Sequence, residues 1–399
     1  MTRIALTGFG AVTPLGIGAD ATWEALRSGV SGIRELPEHV AGNAPVTIGG
    51  LVDPSFVDAL SVPERRRLDP VEQFTLLAGR EAWDRAGRPS VDPDRLATVV
   101  GTGCGGVGTL LAQDKIRAEA GPRRVTPHML TMFMPNGPSA WLSMALGARG
   151  GAFSATTACA AGAEAIATGV RMIRAGLADI VVSGGSEASL NPMFLTGYAQ
   201  IRALSTNRDA ASASRPFDKD RDGFALADGA VMIVLESEDH ARARGATIYG
   251  FVDGVAVTSD AHEITNADPS NQARTMTMAM EDAGAVPADI GVVHAHATST
   301  PAGDLNESTA ITKAKLAAPV TAVKSMTGHC VGAAGALTAM AAILTLHHGL
   351  VPPTINVENQ DPRVPHEIVT KPQPINAETA LVNSFGFGGQ NAALVVRRS

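Results

Sequence analysis

Cysteine is scarce in this chain. It has three among 399 residues, Cys104, Cys159 and Cys330. That excludes a disulfide framework, and no pair has the spacing of a zinc site. A reducing, cytoplasmic setting is expected. Aromatic residues make up only 4%, so the core must be aliphatic and rich in alanine. Positive charge is in deficit, with 32 Lys and Arg against 39 Asp and Glu, a net charge of -7. Bulk charge therefore argues against a nucleic-acid binder. Charged residues are 18% and hydrophobic residues 45%, a composition too apolar for a disordered chain. The 42 Gly and 24 Pro are spread along the sequence, which excludes collagen and linker readings. Long apolar runs are few. The strongest, Val331–Leu346, is mostly Ala and Gly, and His329 and His347 flank it. It reads as a buried helix rather than a membrane span. The first residues, Met-Thr-Arg-Ile-Ala-Leu-Thr-Gly, read as a strand entering a glycine turn, not as a secretory signal.

At about 150 residues per domain the length allows two or three domains, or one large duplicated unit. Short β-branched runs alternate with helical patterns. They are Ile4–Thr7, Ala97–Gly101, Ile180–Gly184, Ala230–Leu235, Gly291–His294, Val320–Val323 and Ala392–Val396. Such runs predict buried strands of an α/β protein. Helices are predicted over Ala160–Ala175 and Ala333–His347. An internal repeat emerges when these elements are aligned. Thr156–Gly176 holds Cys159 and then a small-residue helix; Val323–Gly349 holds His329 and then another. Strands follow each. The repeat predicts two related halves, 1–250 and 251–399, with Cys159 and His329 at equivalent strand-to-helix turns. The insertion Asn191–Arg221 is polar and turn-rich around Ser205–Ser214, which predicts a functional loop.

Thr-Ala-Cys159-Ala-Ala-Gly places a cysteine at a predicted helix start. Unpaired N–H groups and the macrodipole there favour an anion, which lowers a thiol pKa. The same N–H groups can hold a developing oxyanion. The alternative is a buried structural cysteine. Cys104 and Cys330 sit among glycines and read as small core residues.

His294-Ala-His296-Ala-Thr298-Ser-Thr300-Pro-Ala-Gly-Asp304 and Lys324-Ser-Met-Thr-Gly-His329 both follow predicted strands. A lone histidine is usually structural. Histidines at two strand exits, with a cysteine at a third, suit acyl transfer with carbon–carbon bond formation. The thiolate would take an acyl group, and neutral imidazoles would stabilise an enolate oxygen. Metal binding is the competitor, but i, i+4 and C-x-x-C spacings are absent. Asn383-Ser-Phe385-Gly-Phe387-Gly-Gly lies between two C-terminal strands. It lacks the helix and Lys-Ser/Thr of a phosphate loop. A tight hairpin, or a backbone donor with an aromatic gate, remains.

These four segments together resemble the elongating β-ketoacyl-acyl carrier protein synthases of the thiolase fold. That family carries T-A-C-x-x-G, A-H-x-T-x-T-P-x-G-D, K-S-x-x-G-H and N-S-F-G-F-G-G in this order. The likeness spans essentially the whole chain and is to the free-standing type II enzymes of fatty acid synthesis, particularly in actinobacteria. It implies a duplicated five-layered αβαβα architecture and decarboxylative condensation of malonyl-carrier protein with a Cys-bound acyl chain. By position, the resemblance implies that Cys159 is the acylated nucleophile. It implies that His296 and His329 promote decarboxylation, beside Lys324 and the acidic Asp304 and Glu307. Backbone N–H groups of Cys159 and Phe387 would form the oxyanion hole, with Phe387 as gate. Thr298 and Thr300 would contact the phosphopantetheine arm, and Tyr198 and Phe385 the acyl substrate. Neither metal nor other cofactor is implied.

The resemblance also implies partners. Arg66, Arg67, Arg123 and Arg124 would dock an acidic acyl carrier protein, a local basic patch on an acidic molecule. A homodimer is implied, with a central strand near Ala152–Thr157 pairing across the two-fold axis. His294 and Thr338 depart from the residues usual in the family, so a cation site found behind the active site in some relatives is expected to be absent or altered. A polyketide ketosynthase would share every catalytic residue. A thiolase would need a second catalytic cysteine, for which Cys330 is the candidate. A catalytically silent chain-length partner would lack the nucleophile.

Overall fold

The computed structural model describes residues 2–399. Ten strands build its scaffold: β1 (Ile4–Thr13), β2 (Leu96–Gly101), β3 (Ala152–Ala155), β4 (Ile180–Glu187), β5 (Gly229–Ser237), β6 (Gly250–Ser259), β7 (Val292–His294), β8 (Val320–Thr321), β9 (Thr379–Gly386) and β10 (Gln390–Arg398). Most are buried along nearly their whole length, as continuous apolar runs demand. Their order is β3-β2-β4-β5-β1-β6-β10-β9-β7-β8. From the left edge, β3, β2 and β4 run parallel, and β5 and β1 are antiparallel steps. From the right edge, β8, β7 and β9 run parallel, and β10 and β6 are antiparallel steps. The second five strands thus repeat the order and direction of the first. The two sets meet where Ile4, Ala5 and Leu6 pair with Val252, Phe251 and Gly250.

Six helices complete the layers: α1 (Pro70–Arg85), α2 (Gly137–Leu146), α3 (Ala161–Arg174), α4 (Pro269–Asp282), α5 (Pro301–Lys313) and α6 (Ala334–His348). One outer layer is α1 with α2, and the other is α4 with α5; α3 and α6 pack between the two sets of strands. The layering is αβαβα. A Cβ on Gly162 of α3 would lie 2.7 Å from the Gly332 carbonyl and 2.9 Å from the Ala336 nitrogen. One on Gly335 of α6 would lie 2.6 Å from the Ala163 nitrogen. Only glycine permits this backbone approach, and each helix supplies one. The segment Val331–His348 is long and apolar enough to cross a membrane, and 89% of it is buried inside the protein.

Three expectations need correction. Val320–Val323 pairs as a strand only over Val320–Thr321. The Ala152–Thr157 segment is not central: β3 forms the edge of the sheet. The equivalence of Cys159 with His329 is out of register. Residues before α3 and α6 turn at Ala158 (φ 49) and Val331 (φ 38), both left-handed. Counting back from each helix, Ala158 matches Val331 and Cys159 matches Gly332. His329 stands three residues earlier, on a bridge to Leu226.

A candidate acyl-transfer site at Cys159

Cys159 lies in a single 3-10 turn, Ala158–Ala160, between β3 and α3. Its sulfur is 3.0 Å from His329 Nε2. Ser384 Oγ donates to the Cys159 carbonyl at 2.8 Å, which ties the turn to β9. The backbone N–H groups of Phe387 and of Cys159 itself both reach the sulfur. A thioester carbonyl attached there would meet the same donors. Gly386 makes this approach possible: a Cβ on it would lie 3.0 Å from the Cys159 nitrogen and 2.8 Å from the Thr157 carbonyl. The glycine-rich segment is therefore both the β9–β10 hairpin turn and a source of backbone donors.

The expected lowering of the thiol pKa is not what the surroundings produce. Burial pushes Cys159 up to about 12, and Lys324 and the two N–H groups offset this only in part. Burial also drives His296 and His329 well below the ordinary imidazole value, with Lys324 adding to the effect. The resting pair is thus a neutral thiol beside a neutral imidazole. A proton can pass between them over one short contact.

His296 leaves β7 two residues after its end. Its ring meets that of His329 edge to face, centroids 5.4 Å apart, and that of Phe385 at 6.0 Å. Glu307 on α5 fixes this exit. One oxygen accepts from the His296 N–H at 2.8 Å and from Asn383 Nδ2 at 2.9 Å; the other accepts from the Ala297 N–H at 2.7 Å. Lys324 is 2% exposed, and its ammonium has no hydrogen-bond partner among the described residues. Burial lowers it to about 8, against the pull of Glu307. Asp304 makes no hydrogen bond to either histidine among the described residues. It accepts from the Ser299 N–H at 3.0 Å and the Phe217 N–H at 2.9 Å, and Arg221 lies 3.5 Å away. Its role is to hold the Thr298–Thr300 loop.

A cleft of about 440 Å³ opens on these groups. Cys159, His296, His329, Thr298, Thr300, Tyr198, Phe224, Phe385 and Phe387 all line it. Thr298 and Thr300 join hydroxyls at 3.2 Å. Phe387 is 39% exposed, at the entrance. Its loop is tied to segment 260–268, where the Gly388 N–H donates to Ile264 and the Asp260 N–H to Gly389. The insertion after Asn191 supplies helix Pro192–Gln200, which carries Tyr198. The polar stretch beyond it is pinned rather than free: Ser214 Oγ donates to the Lys324 carbonyl at 2.8 Å.

Arg66, Arg67, Arg123 and Arg124 are exposed and have no ion-pair partner among the described residues. They lie outside the cleft. Cys330 turns its sulfur to the Asp228 carbonyl at 3.4 Å, so it is no second nucleophile. His294 is fully buried, and neither ring nitrogen has a partner among the described residues; Thr338 Oγ1 donates back to the Ala334 carbonyl. Among the described residues no group of three His, Cys, Asp or Glu side chains could hold a metal ion. Sequence reasoning missed Asn383 as the partner of Glu307. It also missed Glu187, fully buried at the end of β4, which accepts from the Gly103 and Gly332 N–H groups. No sequence signal marks either role.

Known proteins resemble this chain in sequence and in fold. The family "Beta-ketoacyl synthase, N-terminal domain" matches residues 1–241, and "Beta-ketoacyl synthase, C-terminal domain" matches residues 249–358. The chain is 38% identical to the 3-oxoacyl-[acyl-carrier-protein] synthase 2 of Mycobacterium bovis, over 99% of this chain and 97% of that one. A β-ketoacyl synthase structure from Burkholderia phymatum superposes with a TM-score of 0.94 at 30% identity, covering 100% of both chains. A type II polyketide synthase acyl-carrier protein in complex with its ketosynthase gives 0.90 at 30%, covering 100% of this chain and 99% of that one. The chain belongs to the β-ketoacyl synthase family.

Proposed function

We propose that this protein is a 3-oxoacyl-[acyl-carrier-protein] synthase in which Cys159, His329 and His296 carry the reaction. The 3.0 Å contact between Cys159 Sγ and His329 Nε2 supports this most directly. The sulfur attacks the carrier-bound thioester carbonyl while His329 takes its proton. Collapse of the tetrahedral intermediate leaves the acyl group on Cys159, and the carrier thiol departs with a proton. Malonyl-carrier protein then loses CO₂. His296 and His329, both neutral and the latter now in its Nε2–H tautomer, donate to the enolate oxygen so formed. The enolate carbon attacks the Cys159 thioester, whose carbonyl oxygen is held by the Cys159 and Phe387 N–H groups. The thiolate leaves and is reprotonated. The product is a 3-oxoacyl chain two carbons longer. Lys324 sets the field in which both imidazoles stay neutral. Thr298 and Thr300 face the incoming pantetheine.

Intact mass spectrometry with an acyl-carrier protein tests this reading. A mass increase equal to the acyl group on wild type, and none on Cys159→Ala, is the expected result. Lack of any adduct across chain lengths overturns it.

The two halves 1–250 and 251–399 follow as a proposal, supported by the repeated strand order and the Gly162–Gly335 crossing. A homodimer is proposed as well. Edge strand β3 leaves one side unpaired; Phe153 on it is 49% exposed, and Met144 on α2, the helix packed against β3, is 62% exposed. A second copy pairing along this edge would cover both the backbone and the apolar side chains. Phe153→Glu should give a monomer by light scattering. The arginine pairs are proposed as the carrier's docking patch. The thiol chemistry fits a reducing compartment, which favours the cytoplasm.

A further inference from the structure

Val331 stands two residues after His329 with φ 38. A β-branched residue in the left-handed region is a true outlier, and it persists only where its surroundings over-determine it. Val331 is 2% exposed, in the apolar cluster against which Cys159 packs. On one side of it, the His329 N–H donates to the Ala225 carbonyl at 2.8 Å, and the His329 carbonyl accepts from the Ala227 N–H at 3.1 Å. On the other side comes Gly332, whose N–H donates to Glu187 Oε2 at 3.0 Å. The same oxygen accepts from the Gly103 N–H at 2.7 Å. The segments it joins are in contact. A Cβ on Gly332 would lie 2.6 Å from the Gly103 nitrogen, and one on Gly103 would lie 2.9 Å from the Val331 side chain. Glu187 is fully buried and pairs with no basic side chain among the described residues. A buried carboxylate without a cation is costly, yet two backbone donors converge on it. Charge-assisted bonds of this kind are stronger than neutral ones. They close the far end of the strained turn.

We propose that Glu187 is a positioning residue for the proton acceptor: by holding Gly332 it keeps Val331 left-handed, and so keeps His329 Nε2 aimed at Cys159 Sγ. The proposal rests on the synthase reading above. Without the carboxylate the Gly332 N–H is buried and unpaired, and Val331 can return to an ordinary φ. That change redirects the chain between His329 and α6 and draws the imidazole off the sulfur. A misplacement of about 1 Å can slow a reaction by about 10²-fold. Glu187 does not line the cleft, so it acts through the turn. Its own charge works in the opposite direction, since it raises the Cys159 thiol. Removing that charge would therefore speed acylation if the electrostatic effect dominated, and slow it if the turn does.

The test compares the purified enzyme with Glu187→Ala and Glu187→Met, using an acyl-carrier protein donor that acylates wild type. Rapid-quench intact mass reads the rate at Cys159. Methionine fills the space of the carboxylate but accepts no hydrogen bond from the two N–H groups. Both variants should be slower by about 10- to 10²-fold at saturating donor, with KM unchanged. Sodium formate offers a free carboxylate to the space left in Glu187→Ala. It should restore that variant saturably and leave Glu187→Met slow; a general folding defect would not respond to it. Should Glu187→Ala aggregate, Glu187→Met decides by its rate alone, as it exchanges a buried charge for an apolar side chain of similar volume. A variant that acylates at or above the wild-type rate overturns the proposal and leaves the synthase reading standing. So does a slow Glu187→Ala that formate does not quicken. Failure of every donor to acylate wild type overturns both.

Discussion

His329 Nε2 stands within hydrogen-bond distance of Cys159 Sγ, although the two residues are separated by most of a domain in sequence. Because burial holds the thiol near 12, the sulfur depends on this nitrogen to lose its proton. His329→Ala should slow acylation of Cys159 by about 10²- to 10⁴-fold. Rapid-quench mass spectrometry measures it. An unchanged rate would show that another group takes the proton.

His296 and Cys159 should separate the two half-reactions. Cys159→Gln removes the nucleophile but leaves both imidazoles, and it should still release CO₂ from malonyl-carrier protein. His296→Ala should acylate yet lose decarboxylation by about 10²-fold or more. Glu307→Ala should resemble His296→Ala, since its carboxylate holds the His296 and Ala297 N–H groups. Labelled CO₂ release reads all three.

Glu187 makes stability depend on pH. Burial raises its pKa from 4.5 to about 7. A carboxyl that binds its proton more tightly when folded favours the native state below pH 4.5. That contribution is lost as pH climbs from about 4.5 to about 7. Glu187→Gln should flatten this part of the curve by up to about 3 kcal/mol. Urea midpoints at pH 4.5 and 7.5 check it; identical slopes in both proteins contradict it.

The helix crossing tolerates no side chain. Gly335→Val would drive carbon into the Ala163 backbone of α3. It should cost about 3 kcal/mol, the upper end for overpacking. The denaturation midpoint should fall accordingly.

Charge reversal should expose the docking patch. Arg123→Glu with Arg124→Glu should raise KM for acyl-carrier protein about tenfold or more, with a smaller effect on pantetheine-bound donors. Added salt should narrow the difference, because exposed charges are screened over about 10 Å. A loss insensitive to salt would point to a structural defect instead.

Much of this was legible in sequence because the relevant signals are local. Continuous apolar runs marked β1, β4 and β5, which are buried along nearly their whole length. Glycine-flanked motifs marked Cys159, His296, Lys324 and His329. β6 escaped notice because Asp253 interrupts its apolar run; the fold satisfies that carboxylate with Arg3 and Arg397, from the start and the end of the chain. The register of the repeat was misjudged because reactive residues were aligned, whereas backbone turns at Ala158 and Val331 define it. The thiol is raised where a helix start predicts lowering, because the helix start is visible in sequence and the groups that shield this partly buried sulfur from water are not. The resemblance named Asp304 as an acidic neighbour of Lys324, whose field it does enter; that its hydrogen bonds run to the Ser299 and Phe217 N–H groups is set by the fold and not by the motif.

The repeated scaffold offers two anion seats, and only one is vacant. At the end of β4, Glu187 reaches across and fills the seat at Gly332 with its own carboxylate. At the matching end of β9 stands Gly386, which has no side chain to send toward Cys159. One half therefore plugs its partner's turn, while the other leaves its partner's turn open to substrate. On the proposed reaction, the absence of a side chain at Gly386 distinguishes the elbow that would hold the charged intermediate from the one that Glu187 fills.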